Sequence, residues 1–256
     1  ALDAARVELG SVRLLGESEL VVPDLPKPAR AVLEVWLDSA HVTNTWDFWL
    51  FPKRTVPRVT GIAVSRPLHE KLAPLYSGLA PAGQIDADSP DLLISYLGSP
   101  DVEPALASGK RVILLNRTRG SPNVSLGWWS MGQQVGTAFV AHPALGDFPH
   151  EGFLSPLAFR ILKTGQKLPA FSGLRPDDMF IVGEGLASYF LYAAQGRAGQ
   201  GKALITLGLD LLSGHPEGTC ILDGLIQYAR SAEFDPRGQI INLEAFRAPN
   251  GWQKTL

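Results

Sequence analysis

The chain has 256 residues, a formal net charge of −2 and a hydrophobic content of 45%. That length fits one large domain or two smaller ones, and the composition is typical of a globular protein with a substantial core. The near-neutral charge gives no electrostatic reason to expect a nucleic acid or an anionic membrane as a partner, and no apolar run is long enough to span a bilayer.

The first 55 residues have the pattern of short strands separated by turn signals. Alternating or β-branched runs predict strands at residues 6–14, 19–22, 31–37 and 44–52. Four strands are few for an independent fold, so we expect them to pack against another part of the protein. The pattern therefore predicts a small antiparallel β-sandwich segment over residues 1–55.

Beyond a linker at residues 53–57, continuous apolar strands alternate with helices. Such strands are buried on both faces, which indicates a mostly parallel sheet with helices on both faces. The sequence therefore predicts an α/β domain over residues 56–235, followed by a C-terminal tail at 236–256. The predicted strands are 59–64, 91–96, 110–115, 178–182, 189–193 and 203–207, and the predicted helices are 67–76, 102–108, 153–164 and one that begins at His215-Pro216.

The segment from Gly127 to Phe153 is the strongest candidate for ligand contact, because long irregular aromatic segments in compact domains are usually functional. Aromatic rings stack on the apolar faces of sugars, and His and acidic groups can orient hydroxyls. Two plainer interpretations stay open: the Trp rings pack against a partner domain, and each His binds backbone in a turn. The candidate carbohydrate-binding residues are Trp128, Trp129, His142, Phe148, His150 and Glu151.

The chain carries none of the sequence motifs that would give it chemistry of its own. There is no Gly-x-Ser-x-Gly elbow, no dinucleotide loop and no metal-binding His or Cys spacing. Glu151, Glu184 and Asp210 are candidate carboxylates by location only, and Cys220 is best interpreted as a small core residue. The sequence thus predicts no catalytic residue, no cofactor and no metal.

Residues 44–52 (NTWDFWLFP) resemble the Asn-x-Trp-x-x-Trp-x-x-Pro ending of a β-sandwich in bacterial proteins of the glycoside hydrolase family 2 (β-galactosidase-like) kind. Residues 142–153 are similar to the segment that follows in such proteins. Residues 204–211 and 225–228 are similar to their closing strand and last helix. The resemblance implies the C-terminal region of a larger sugar hydrolase.

The resemblance also implies that the second domain is flavodoxin-like, similar to the class I glutamine amidotransferase-like domains. Those enzymes place a catalytic Cys just after a central strand. Here the corresponding predicted strand leads into Asn116-Arg117-Thr118, and Cys220 lies far downstream. The implied domain therefore lacks the catalytic Cys.

We therefore expect a non-catalytic accessory region of a carbohydrate-active enzyme that serves domain packing, oligomerisation or substrate-cleft lining. The alternatives are a stand-alone hydrolase that uses the 116–153 loop, with His142, His150 and Glu151 as acid/base groups, and a carbohydrate-binding module. The expected partners are other domains of a larger hydrolase, with a carbohydrate or a second copy as further candidates. Localisation stays open, secreted and periplasmic included.

Overall fold

The computed structural model of the chain describes residues 8–14, 16–37, 41–83, 90–117, 137–165, 168–169, 173–184 and 189–240. Within them the chain forms a two-stranded antiparallel sheet and a larger mixed, mostly parallel sheet with helices. The fold class is therefore α/β, as the sequence predicts, with a small antiparallel sheet at the amino-terminal side. Trp128 and Trp129 lie outside the described residues.

The small sheet is a single hairpin of β1 (Ala29–Leu37) and β2 (Val42–Leu50). Successive side chains of a strand point to opposite faces, so the pairing register decides what each face carries. One face, called the apolar hairpin face, consists of Ala29, Ala31, Leu33, Val35, Leu37, Val42, Trp46, Phe48 and Leu50, with Asn44 as its polar member. The opposite face is mixed and contains Arg30, Val32, Glu34, Trp36, Thr43, Thr45, Asp47 and Trp49.

The large sheet combines a parallel half with an antiparallel half. Its strands are β3 (Ile62–Val64), β4 (Ala80–Pro81), β5 (Leu92–Tyr96), β6 (Arg111–Asn116), β7 (Ala138–Phe139), β8 (Leu168–Pro169), β9 (Met179–Glu184), β10 (Tyr189–Ala198) and β11 (Gly201–Leu207). The order is β4-β3-β5-β6-β11-β10-β9-β7, with β8 paired to β10. The first five strands of this order are parallel, and the remaining pairs are antiparallel.

Connection length explains where the sheet changes from parallel to antiparallel. Only two residues separate β10 from β11, and a parallel pair needs a crossover of a dozen or more residues. The strands of the parallel half follow one another through longer segments, several of them helical. The short turn between β10 and β11 therefore fixes the antiparallel pairing of β10.

In the described part of the chain, four α-helices cover the two faces of the large sheet, as the sequence predicts. They are α1 (Arg66–Leu72), α2 (Val102–Ala107), α3 (Pro156–Leu162) and α4 (Pro216–Arg230). Apolar residues of α1, α3 and α4 pack in one core cluster with Ile94 and Ile113, and those of α2 pack in a second cluster with Leu93 and Leu114. Neighbouring residues of β5 and β6 thus point into opposite clusters, which makes these strands continuous apolar runs.

The amino-terminal segment differs from its prediction. Residues 8–14 and 16–28 contain no strand, although the sequence predicts strands at 6–14 and 19–22. Leu9, Val12 and Val21 are almost fully exposed. A strand needs a neighbour to accept its backbone hydrogen bonds, and no other described segment pairs with these residues. The predicted sandwich is therefore represented in the described residues by the β1–β2 hairpin alone.

Helix α4 lies against the 3₁₀ turn Pro143–Leu145 through two glycines. A Cβ atom on Gly224 would lie 2.8 Å from the backbone nitrogen of Gly146 and 2.9 Å from the carbonyl carbon of Leu145. Only a residue without a side chain allows the helix to approach this turn so closely. The contact fixes the turn that carries His142.

We expect Gly224→Ala to destabilise the protein by about 1–3 kcal/mol, because overpacking of the helix against the turn outweighs the gain of about 1 kcal/mol in helix propensity. Urea unfolding measures the effect. Gly214→Ala is the control, since a Cβ there meets no atom within 4 Å. Equal stability of both variants would contradict the close packing.

Candidate functional site

Four polar side chains meet at the carboxyl edge of the large sheet, which is the edge where the parallel strands end. Tyr96 is the last residue of β5, Arg117 directly follows β6, and Asp210 lies three residues after β11. Lys71 belongs to α1, the helix that follows β3. Open α/β sheets bind ligands at this edge, where the strand order reverses, and here the reversal lies at β3, whose neighbours are β4 and β5.

Asp210 is the centre of these four residues, called here the Asp210 cluster. Its side chain is completely buried. Lys71 Nζ donates to Asp210 Oδ2 at 3.0 Å, the Tyr96 hydroxyl donates to the same oxygen at 2.8 Å, and Arg117 Nε lies 3.9 Å from it. The Lys71 and Arg117 cations lie 5.9 Å and 6.0 Å from the centroid of the Tyr96 ring. One buried carboxylate therefore holds two cations and a phenol around itself.

The Asp210 carboxylate sets the protonation of its neighbours. Burial disfavours a charged Lys71, but the hydrogen bond from Lys71 to Asp210 and the charge of Asp210 outweigh it, so the pKa of Lys71 is raised. Burial, followed by the hydrogen bond to Asp210, raises the pKa of Tyr96, so this phenol stays a donor. The Lys71 and Arg117 side chains are 35% and 40% exposed. The cluster thus presents two accessible cations above a buried carboxylate.

The backbone of Arg117 is held by close contacts. A Cβ on Gly208 would lie 2.5 Å from the Thr164 carbonyl oxygen and 3.0 Å from Arg117 Cα, so a glycine is required there. Arg117 also forms an isolated β-bridge with Gly165. The guanidinium group therefore extends from a fixed part of the chain.

Three buried oxygen atoms at the carboxyl edge have no hydrogen-bond partner among the described residues: Asp210 Oδ1, Ser65 Oγ and Thr206 Oγ1. Ser65 directly follows β3, and Thr206 is the penultimate residue of β11. Leaving a buried polar atom without a partner costs about 1–3 kcal/mol. Such atoms in one region need an explanation, and a bound group is one of the recognised explanations.

His142 occupies a structural position in its turn. Its Nδ1 accepts a hydrogen bond from the Ala144 backbone N–H at 3.1 Å, and its ring stacks on Phe180 with centroids 4.7 Å apart. The ring also meets the edge of Tyr228. Burial lowers the pKa of His142, although the charges of Asp178 and Asp177 oppose the effect. This geometry corresponds to the plainer alternative, in which a histidine beside a proline binds backbone.

His150, Glu151 and Phe148 lie a few residues further along, in different surroundings. The half-buried His150 ring lies 6.2 Å from Phe139, and burial lowers its pKa. Phe148 is buried and stacks on Phe139. Glu151 is exposed and accepts a 2.5 Å hydrogen bond from Arg30 of the hairpin. Within the described part of the chain, no hydrogen bond joins any two of His142, His150 and Glu151.

A second polar cluster holds the linker, which connects the two sheets in sequence, against the α/β domain. Arg54 binds both carboxylate oxygens of Asp223 in α4, and it donates to the Leu75 carbonyl oxygen at 2.6 Å. The Tyr76 hydroxyl donates to Asp223 at 2.6 Å, and the Arg54 guanidinium lies over the Tyr76 ring. An open groove of about 690 Å³ runs beside this cluster and is lined in part by Lys53, Gln227 and Arg230. The predicted linker is therefore docked on the α/β domain.

Two further kinds of chemistry depend on the thiol of Cys220 and on the grouping of possible metal ligands. Burial, together with the charges of Asp223 and Asp147, raises the pKa of Cys220 to about 12, so its thiol is protonated at neutral pH. Among the described residues, no three His, Cys, Asp or Glu side chains are grouped as a metal site requires. No described helix has both the length and the apolar character needed to cross a membrane.

Comparison with known proteins gives a family match over the amino-terminal part of the chain. Residues 1–52 match a protein family that is described as a domain of unknown function (DUF8488). This match covers the hairpin and the segment before it, and it ends before β3 begins. No curated protein matches the chain.

Sequence reasoning singled out only one member of the Asp210 cluster. Asp210 is a candidate by its position after a strand, whereas Lys71, Tyr96 and Arg117 carry no motif. The available signal is positional: Tyr96 and Arg117 stand at the ends of predicted parallel strands, which share one edge. The signal for Lys71 is weaker, since it depends on which face of α1 the residue occupies.

We expect the protein to lose stability as the pH rises above about 10, because unfolded Lys and Tyr side chains release protons there while Lys71 and Tyr96, whose folded pKa values are raised, retain theirs. Asp210→Asn removes a charge that contributes to both raised pKa values, beside the burial that raises the pKa of Tyr96. The variant should therefore be less stable by about 1–3 kcal/mol at pH 7, and this difference should shrink at alkaline pH. Urea unfolding across the pH range measures both effects.

Asp24→Asn is the control for this pH series, because Asp24 is exposed and forms no ion pair with another described residue. It should keep both the neutral-pH stability and the alkaline loss of the unmodified protein. An Asp210→Asn variant that loses as much stability as the unmodified protein between neutral and alkaline pH would contradict the assigned role of Asp210.

Proposed function

We propose that this chain is a non-catalytic accessory region of a carbohydrate-active enzyme of the glycoside hydrolase family 2 (β-galactosidase-like) kind, and that its main role is domain packing. The observation that carries the proposal is the uncovered apolar hairpin face. The resemblance of residues 44–52 to the ending of a β-sandwich supports the enzyme class.

The apolar hairpin face has the apolar residues that the inner, buried face of a β-sandwich carries. Most of its side chains are nevertheless exposed, as they would be on an outer face. Val35, Trp46 and Phe48 are each about half exposed, at 48%, 47% and 47%. A lone two-stranded hairpin is marginally stable in water, and apolar sheet faces are normally buried against a second sheet about 10 Å away. An apolar patch of this kind marks an interaction surface. Further β-strands of a larger enzyme are the occupant that we propose.

The flavodoxin-like assignment of the second domain belongs to the same proposal. Its support is the order of the five parallel strands. If these strands are numbered one to five along the chain, their order across the sheet is 2-1-3-4-5, which is the order of flavodoxin-like sheets. If the resemblance holds, Asn116 and Arg117, at the end of β6, correspond to the position at which amidotransferases of this class carry their Cys. This supports a domain that has kept the scaffold without that chemistry.

A matched pair of substitutions tests the packing role. Val35 and Val32 lie on β1 with similar exposure, at 48% and 57%, but on opposite faces of the hairpin. If further β-strands cover this face as proposed, we expect Val35→Lys to lower stability by about 1–3 kcal/mol, because the charge enters the face that those strands bury. Val32→Lys, opposite Asp47, should change it little. Equal effects of both substitutions on thermal unfolding would contradict the packing role.

Activity assays test the non-catalytic part of the proposal. The purified 256-residue chain should hydrolyse neither chromogenic β-glycosides nor glutamine, since no nucleophile or paired acid is assembled in its described residues. Turnover that persists through purification and is abolished by His150→Ala or Glu151→Gln would favour the stand-alone hydrolase instead. Saturable binding of a neutral oligosaccharide that quenches Trp fluorescence would favour the carbohydrate-binding module.

A further inference from the structure

We propose that the Asp210 cluster binds an oxyanion, the carboxylate or phosphate group of a small molecule, between the side chains of Lys71 and Arg117. This site is separate from the apolar hairpin face, and it does not depend on the accessory role proposed above. The argument rests on geometry, on charge and on unpartnered buried atoms.

The two cations are close enough to bind one group together. Lys71 Nζ and Arg117 Nε lie 3.0 Å and 3.9 Å from the same oxygen of Asp210, so they are at most 6.9 Å apart, the sum of those distances. A single carboxylate or phosphate can accept charge-assisted hydrogen bonds of about 2.7–2.9 Å from both. Both side chains keep more than a third of their surface exposed. The site is therefore open to a ligand from solvent.

The charge of the cluster favours an anion. Asp210 is the one carboxylate that pairs with Lys71 or Arg117 among the described residues, so two cations share a single negative charge. The guanidinium of Arg117 makes only the 3.9 Å ion pair and the contact with the Tyr96 ring in this part of the chain. Arginine offers five donors in a planar fork that matches a carboxylate or phosphate. Among the described residues, most of these donors have no other partner.

The unpartnered buried oxygens are the second, independent observation. Asp210 is 3% exposed, Ser65 2% and Thr206 0%, and each has an oxygen atom without a partner among the described residues. Asp210 belongs to the cluster itself, Ser65 directly follows β3 and Thr206 lies near the end of β11, so all three stand at the carboxyl edge of the sheet. A hydroxyl can donate to an oxyanion, and Asp210 Oδ1 can accept from a hydroxyl of the same ligand or from a water that accompanies it. These atoms match a polar occupant at this edge.

The experiment is titration of the 256-residue chain with inorganic phosphate, glucuronate, acetate and uncharged glucose, followed by calorimetry and by amide NMR shifts. We expect saturable binding of at least one anion, which weakens as the salt concentration rises. Phosphate as the tightest ligand identifies a phosphate source, and glucuronate or acetate identifies a carboxylate source. Glucose that binds as tightly as glucuronate, or no binding of any anion, would overturn the proposal.

Charge-removing variants locate the site. Arg117→Gln and Lys71→Gln should each weaken anion binding about tenfold or more, the effect of losing a hydrogen bond to a charged group. Arg58→Gln is the matched control, because Arg58 is exposed and precedes β3 at the opposite edge of the sheet. Thermal unfolding verifies that each variant is folded, and Arg117→Lys supplies a milder change if Arg117→Gln is not. Unchanged affinity in the folded cluster variants would place the anion elsewhere and refute this site.

Discussion

The burial of β5, β6 and β11 on both faces is the constraint on which the rest of this molecule depends. Residues 92–94, 112–115 and 203–205 must be apolar because helices cover both sides of the sheet. A covered parallel strand can carry polar side chains only where it ends. Polar residues such as Ser65, Asn116 and Thr206 accordingly stand at strand ends. The same constraint that makes the core apolar therefore concentrates polar groups at the ends of the strands, where the Asp210 cluster lies.

The Asp210 carboxylate shows how such an edge is stabilised. A buried charge is tolerated when it is paired and hydrogen-bonded, and Lys71 and Tyr96 satisfy one of its oxygens from two different elements. The pairing connects α1, β5 and the segment after β11, so it also fixes the shape of the edge. The cations that neutralise Asp210 from the solvent side are the groups available for an anion. Structural and binding roles thus use the same atoms.

In contrast to the strands of the large sheet, the β1–β2 hairpin has an apolar face that is largely exposed. Its register places nearly all of its apolar side chains on one face, yet no described residue covers that face to the extent found in the core. Among the described residues, two ionic contacts connect it and its linker to the α/β domain: Arg30 with Glu151, and Arg54 with Asp223. Exposed ion pairs contribute little stability, typically about 0–1 kcal/mol. Burial of the apolar face would contribute far more, which is the physical basis of the packing role proposed for it.

Local patterns were informative wherever one strand or helix decides the outcome. The alternation of Trp46 and Phe48 against Asp47 predicted β2, and the continuous apolar runs predicted β5, β6 and β11. The apolar face of α4 and its start after His215 were predicted as well. The strands expected within residues 8–28 are absent from the described part of that range, because alternation alone supplies no partner. His142 is a candidate for ligand contact because it lies in the aromatic segment, but its ring packs within its own turn and against Phe180.

The sequence by itself determined the α/β fold class and the positions of the main strands, because hydrophobic periodicity is a local property that each segment carries. It also determined that Asp210 follows a strand. Only the tertiary structure decided that Lys71, Tyr96 and Arg117 surround that carboxylate, since these residues are separated by up to 139 positions in the chain and meet through strand order. It likewise decided which hairpin face is apolar, because that depends on the pairing register of two strands.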